Sequence, residues 1–142
     1  MAISSLGLRT TTFTSGTTAC VEWRTPAGVR AKVLEVSYIS ATATVQTIGL
    51  GRPQAIGITP VNVLFQMDDP GDPASVMNGS LSWATSPTVP LIYHRRWNGA
   101  ATIGVGIVWT FPRGLIIPVS SSMVLWNITT TVASDVNCVV DE

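Results

Sequence analysis

The sequence predicts an all-β protein: an antiparallel β-sandwich, jelly-roll-like, with an extended N-terminal arm. Three observations predict it. Runs of β-branched and aromatic residues have strand length. Turn residues separate these runs at about 8 to 12 positions, the spacing of sandwiches and barrels. No stretch carries the apolar period of a helix, a heptad or a fixed-length repeat. The 142 residues suit one domain with one core, because a domain of about 150 residues buries roughly 70% of the surface its unfolded chain exposes.

Residues 1–16 differ in character from the rest. They are rich in Thr and Ser, carry one charge at Arg9, and hold isolated apolar groups at Leu6, Leu8 and Phe13. They read either as a frayed end plus a first strand or as an arm that adds to a neighbour's sheet edge, which β-branched residues suit. The expectation taken forward is an arm over 1–16, with Phe13 a candidate interface residue, followed by a single sandwich domain over 17–142.

The first run of that domain, Thr17 to Trp23, ends at Thr25-Pro26-Ala27-Gly28. There proline presets φ and glycine tolerates a positive φ, so the chain reverses into Val29 to Ile39 as a hairpin. In the returning strand Leu34, Val36 and Tyr38 alternate with Glu35 and Ser37, the pattern of a half-buried strand. Ala43 to Leu50 is the next strand, and Gln54 to Phe65 holds one or two more, broken at Pro60. Asp68 to Ser75, with two Asp-Pro pairs and a glycine, is a loop. Val76 to Ala84 and Val89 to Trp97 are strands divided by Thr85-Ser86-Pro87, and Asn98-Gly99 is a turn. Ile103 to Phe111, Gly114 to Ile117, Met123 to Thr130 and Asp135 to Val140 complete the set; in the last, Val136, Cys138 and Val140 share one face.

Composition narrows the class of function. Charged residues are 11% and hydrophobic residues 46% of the chain, against about 25% charged in ordinary soluble domains. Mean hydropathy is +0.38. No segment approaches the roughly 18 to 20 uninterrupted apolar residues of a spanning helix, so no membrane partner is expected. Eight basic groups balance eight acids, which gives no general attraction to nucleic acid. Little charge and no net charge leave little colloidal repulsion, so much of the surface is expected to be covered by other protein, copies of itself or a larger assembly. The first residues lack the charged-then-apolar order of a secretory signal, and folding in a cytoplasm is expected. Cys20 and Cys138 read as buried thiols or as a disulfide between first and last strands.

No catalytic, cofactor-binding or metal-binding residues are expected. His94 is the one histidine, and its neighbours Arg95 and Arg96 disfavour the imidazolium a catalytic triad needs. Asp68, Asp69 and Asp72 cluster without calcium-loop spacing, and Gly49 to Gly57 lacks the order of a phosphate loop. The five tryptophans, Trp23, Trp83, Trp97, Trp109 and Trp126, lie in β runs and read as core or interface residues before they read as a sugar platform. Trp97 follows Arg95 and Arg96, the pairing enriched at interface hot spots, so Arg95, Arg96 and Trp97 are candidate interface residues.

The segments GLGRPQAIGITP (Gly49 to Pro60) and FPRGLIIPVSSSMVLWN (Phe111 to Asn127), with the DVNCVVDE end, resemble small structural proteins of tailed-bacteriophage virions, of the head decoration or cement type. The resemblance implies a β-rich structural module and no enzyme. It would bind the outer surface of the capsid, with the major capsid protein and itself as partners, as a homotrimer. It would bridge capsid subunits, stabilise the shell, and be assembled into the virion in the host cytoplasm. The alternatives are another virion component (tail, head-fibre or adaptor protein) and a carbohydrate-binding β-sandwich using Trp83 or Trp97.

Overall fold

The computed structural model describes residues 2–11, 17–129 and 133–142. Among them eleven strands form two antiparallel sheets packed face to face. In chain order they are β1 (Ile3–Arg9), β2 (Thr18–Arg24), β3 (Ala31–Ser40), β4 (Gln46–Gly51), β5 (Ile58–Leu64), β6 (Gln66–Met67), β7 (Asn78–Thr85), β8 (Arg95–Gly99), β9 (Gly106–Ile117), β10 (Ser122–Asn127) and β11 (Ser134–Asp141). One sheet runs β6-β1-β11-β3-β9 and the other β5-β7-β2-β10-β4-β8. The all-β sandwich is thus the observed architecture.

Most sequential strands change sheets. The β2–β3 link is therefore a crossing between layers and not the hairpin expected from its turn signal. The turn itself is present: Val29 N–H bonds Pro26 O at 3.4 Å, and Gly28 has φ of 82°. The two strands part because each buries an apolar face against the opposite layer. β2 does so with Val21 and Trp23, and β3 with Val33, Val36 and Tyr38.

Residues 1–16 are divided. Ile3–Arg9 lies inside this chain's own sheet, with Leu6 opposite Cys138 and Ser4 opposite both Val140 and Met67. Over those residues the expected arm is a strand, held there by Leu6 and Leu8 facing the core. Phe13, the candidate interface residue of the arm, falls outside the described residues.

The core follows the alternation. Val136, Cys138 and Val140 face inward, as their spacing predicts. In β3 the alternation slips: the register shifts between Val33 and Glu35, so Val33 takes the inner position and Leu34 is half-buried. Leu34 is the extra residue of a bulge in β3, since consecutive Val139 and Val140 of β11 oppose Glu35 and Val33; on the other side Phe111 to Gly114 of β9 are left unpaired, with Phe111 in the core and Gly114 at φ of 69°. Hence the two expected strands Ile103 to Phe111 and Gly114 to Ile117 are one bent strand. A polar knot ties the sheets at one end: Tyr38 OH donates to Gln46 Oε1, and Ser134 Oγ donates to Tyr38 at 2.7 Å. Burial pushes the Tyr38 hydroxyl up to about 12, only partly offset by the Ser134 bond.

Two further differences concern the second sheet. The strand expected over Val89 to Trp97 begins only at Arg95, because Pro87 and Pro90 cannot donate to a ladder. Asn98-Gly99 is strand, opposite Thr47 and Gln46. The reversal falls at residues 101–105, where Gly104 has φ of 79°. Pro60, expected to break its segment, is accommodated inside β5 because β5 is an edge strand with Thr59 at φ of 50° and a shifted register beside it.

Candidate interaction surface

The outer face of the second sheet carries a second layer of chain. β4 and β5 lie on opposite sides of β10, β2 and β7, so residues 52–57 and 86–94 run across that face in opposite directions. They bond to each other: Gln54 N–H donates to Thr88 O at 3.1 Å and Thr88 N–H to Ala55 O at 2.9 Å. Beneath them Ala19, Val124 and Trp126 form a small core with Trp83 and Tyr93. This explains why every residue of β10 is buried: Met123 and Leu125 face the main core, Val124 and Trp126 the covered outer face. Gly49 and Gly51 allow the cover to approach, since a side chain on either would meet the Tyr93 ring.

Glu22 fastens this cover. It is fully buried, and its carboxylate accepts from Gly57 N–H at 3.1 Å, Trp83 Nε1–H at 2.6 Å and Ser122 Oγ–H at 2.7 Å. Arg24 Nη1 stands 3.9 Å away and donates to Gly57 O at 2.9 Å. Three donors fill three of the about four lone-pair sites of this buried carboxylate, and all three tie the cover and the neighbouring strand to β2.

The cover leaves an apolar tip in solvent. Leu91 is 87% and Ile92 80% exposed, just before β8. Tyr93 tucks under, where burial raises its hydroxyl against the lowering by Arg96. His94 is half-buried, its ring nitrogen Nε2 3.1 Å from Arg52 Nη1. Burial, then the charges of Arg52 and Arg95, hold its pKa below 6.5. A neutral imidazole beside a guanidinium suits a hydrogen-bonded spacer. Among the described residues no hydroxyl or thiol side chain bonds to it.

The expected interface residues on β8 are placed in two environments. Arg95 and Arg96 are exposed, Arg95 lying 5.4 Å over the Phe111 ring and Arg96 5.6 Å over Tyr93. Trp97 turns inward, half-buried against the core and 6.1 Å from the Tyr38 ring. Arg95 and Trp97 thus share the inward face of β8, opposite Leu50 and Ile48, and Arg96 lies on the outer face toward Tyr93.

Sequence reasoning missed the opposite side of the sandwich. β5 is exposed on both faces, with Ile58, Val61, Val63 and Leu64 in solvent. The signal was present as an apolar run beside a proline, but position at a sheet edge is not written in local pattern. Next to it stands the loop of Asp68, Asp69 and Asp72, with Asp68 accepting from Ser5 Oγ at 2.7 Å and Asp69 from Gly71 N–H at 2.8 Å. Among the described residues no three His, Cys, Asp or Glu side chains are grouped to hold a metal ion. Both cysteines are free and buried; burial raises Cys20 to about 12 and pushes Cys138 up as well. Among the described residues no helix is long and apolar enough to cross a membrane. In comparisons with known proteins, no family model, no curated protein and no solved structure matches this chain.

Proposed function

We propose that the chain is a virion structural protein of the capsid decoration type, a jelly-roll module that binds the outer capsid surface and bridges capsid subunits. The observation that carries this reading is the apolar groups left in solvent at both edges of one sheet, β5 at one and the tip of Leu91 and Ile92 beside β8 at the other. A chain with 11% charged residues that leaves such groups in solvent gains most from a protein surface that covers them. The groups with known reactivity are engaged or buried: Glu22 in its three hydrogen bonds, both thiols in the core, His94 against Arg52.

The strand order supports the jelly-roll part of the reading. With β5, β6 and β7 set aside, β1-β11-β3-β9 faces β2-β10-β4-β8, which is how two Greek keys wind into the double sheet common in viral capsid domains and lectins. The three extra strands are an insertion between β4 and β8 that widens both sheets. The carbohydrate reading would use an exposed aromatic face, whereas Trp83 is bonded to Glu22 and Trp97 faces Tyr38.

The test is co-sedimentation of the purified chain with empty shells assembled from the major capsid protein of the same genome, followed by thermal disruption of those shells. Saturable binding and a raised disruption temperature are expected. Shells that neither bind the chain nor gain stability refute the reading.

A further inference from the structure

We propose that copies of this chain associate head to tail through the two lateral sides of the sandwich, the β8/β9 side of one copy docking on the β5/β6 side of the next. This deepens the self-association in the reading above and rests on that part of it alone.

The argument begins with where the charges go. Three basic groups have a carboxylate partner within the chain: Arg9 with Asp135, Arg24 with Glu22 and Lys32 with Asp141. Of the charges left over, Arg30 lines a cleft with Glu142 at one end of the sandwich and Glu35 lies within β3 opposite Thr110; the others are sorted by side. Arg95 and Arg96 lie on β8, Arg113 on β9, and Arg52 at the end of β4 reaches across to Ile116 O of β9 at 2.7 Å. None of them has a carboxylate within 4.0 Å among the described residues. Asp68, Asp69 and Asp72 follow β6 directly, and Glu142 accepts from Ser4 Oγ and Val76 N–H beside them. One lateral side is cationic and the other anionic, in a chain whose net charge is +0.

The two sides do not neutralise each other within one molecule. They stand at opposite edges of a six-stranded sheet, about 24 Å apart at the usual strand spacing, against a Debye length of about 8 Å at physiological salt. In a second copy the opposite charges meet at contact distance. Each side also offers apolar groups to the other: Leu91, Ile92 and Val108 on the cationic side, Val61, Val63 and Leu64 on the anionic one. Contact by side chains is favoured over strand addition, because Pro60, Thr59 at φ of 50° and the shifted register distort the β5 edge.

The same sorting rules out a symmetric pair. Placing like sides together sets arginine against arginine or aspartate against aspartate, which is repulsive. A heterologous contact remains, and it closes into a ring when the rotation between copies allows.

The experiment is mass by light scattering after size exclusion, for wild type, R95E/R96E, D68R/D69R and their equimolar mixture. Circular dichroism and thermal melting check that each variant is folded. The wild type is expected at a multiple of 15.0 kDa, losing mass as NaCl rises from about 0.05 to about 1 M; that readout needs no variant. Each reversed variant is expected as a single chain, and the mixture as a larger species again, because reversed sides are complementary to each other. A single-chain wild type at every dilution overturns the proposal. So do folded reversed variants that assemble as the wild type does, or a mixture that stays apart. Single chains that still bind capsid shells refute the head-to-tail contact alone, and assembled rings that ignore shells refute only the decoration reading.

Discussion

Replacing Glu22 by alanine removes the acceptor on which the outer cover hangs. Three donors, Gly57 N–H, Trp83 Nε1–H and Ser122 Oγ–H, lose their partner in a site without solvent. Each buried donor left unsatisfied costs about 1–3 kcal/mol. The Ser122 hydroxyl can rotate and water can enter the space vacated, so the total falls near about 3–5 kcal/mol, the range for breaking a buried charged cluster. Against a typical stability of about 5–15 kcal/mol that is a large fraction. Glu22→Gln keeps the shape and one acceptor but turns an NH2 toward a donor, and costs about 1–2 kcal/mol. Urea unfolding followed by tryptophan fluorescence measures both, read as a fall in midpoint at constant slope. A Glu22→Ala protein within about 1 kcal/mol of wild type would refute the reasoning, since the cover would then be held by apolar contact and not by this carboxylate.

Three further outcomes follow from the same structure. Deleting residues 1–10 removes β1 from between β6 and β11; losing Leu6 and Leu8 from the core costs about 3 kcal/mol or more, read as a lower melting temperature. An unchanged melt with weaker association would restore the arm. His94 has a folded pKa below 6.5, so between the folded value and 6.5 the unfolded chain binds more protons; stability is full above about pH 6.5 and falls as pH drops through that window. His94→Asn should flatten that part of a urea-midpoint profile between about pH 7.5 and 5.5; an identical slope would remove His94 as its cause. Cys20 and Cys138, both buried with raised pKa, should resist a thiol reagent at about pH 8 in the native state and react fully in denaturant; prompt native labelling would contradict their burial.

Much of the fold was legible because strands advertise themselves locally. The alternation of Val136, Cys138 and Val140, the Pro26-Gly28 turn and the Asp-Pro loop each follow from rules that span a few residues, and each is present in the structure. Errors arose where a local signal was right and its tertiary use was not. Pro26-Gly28 turns the chain between layers and not within one sheet. Val89 to Ile92 has the composition of a strand but serves as cover, because Pro90 has no N–H for a ladder and Trp126 below needs covering. The site was legible only in part: Arg95 and Arg96 stood out by their grouping, while β5 as an open edge and Glu22 as a buried fastener did not.

The sequence by itself determined the class, strands without helices around one core, and the scarcity of charge, because period and composition are properties of the chain. Only the tertiary structure decided which strands are neighbours and which are edges, and that Ile3–Arg9 belongs inside a sheet. It also decided that like charges far apart in sequence, Arg52 with Arg96 and Asp68 with Glu142, gather on opposite sides of one sandwich. Strand pairing joins residues more than a hundred positions apart, such as Leu6 and Cys138; their match is set by shape and burial across the whole layer, which no local pattern contains.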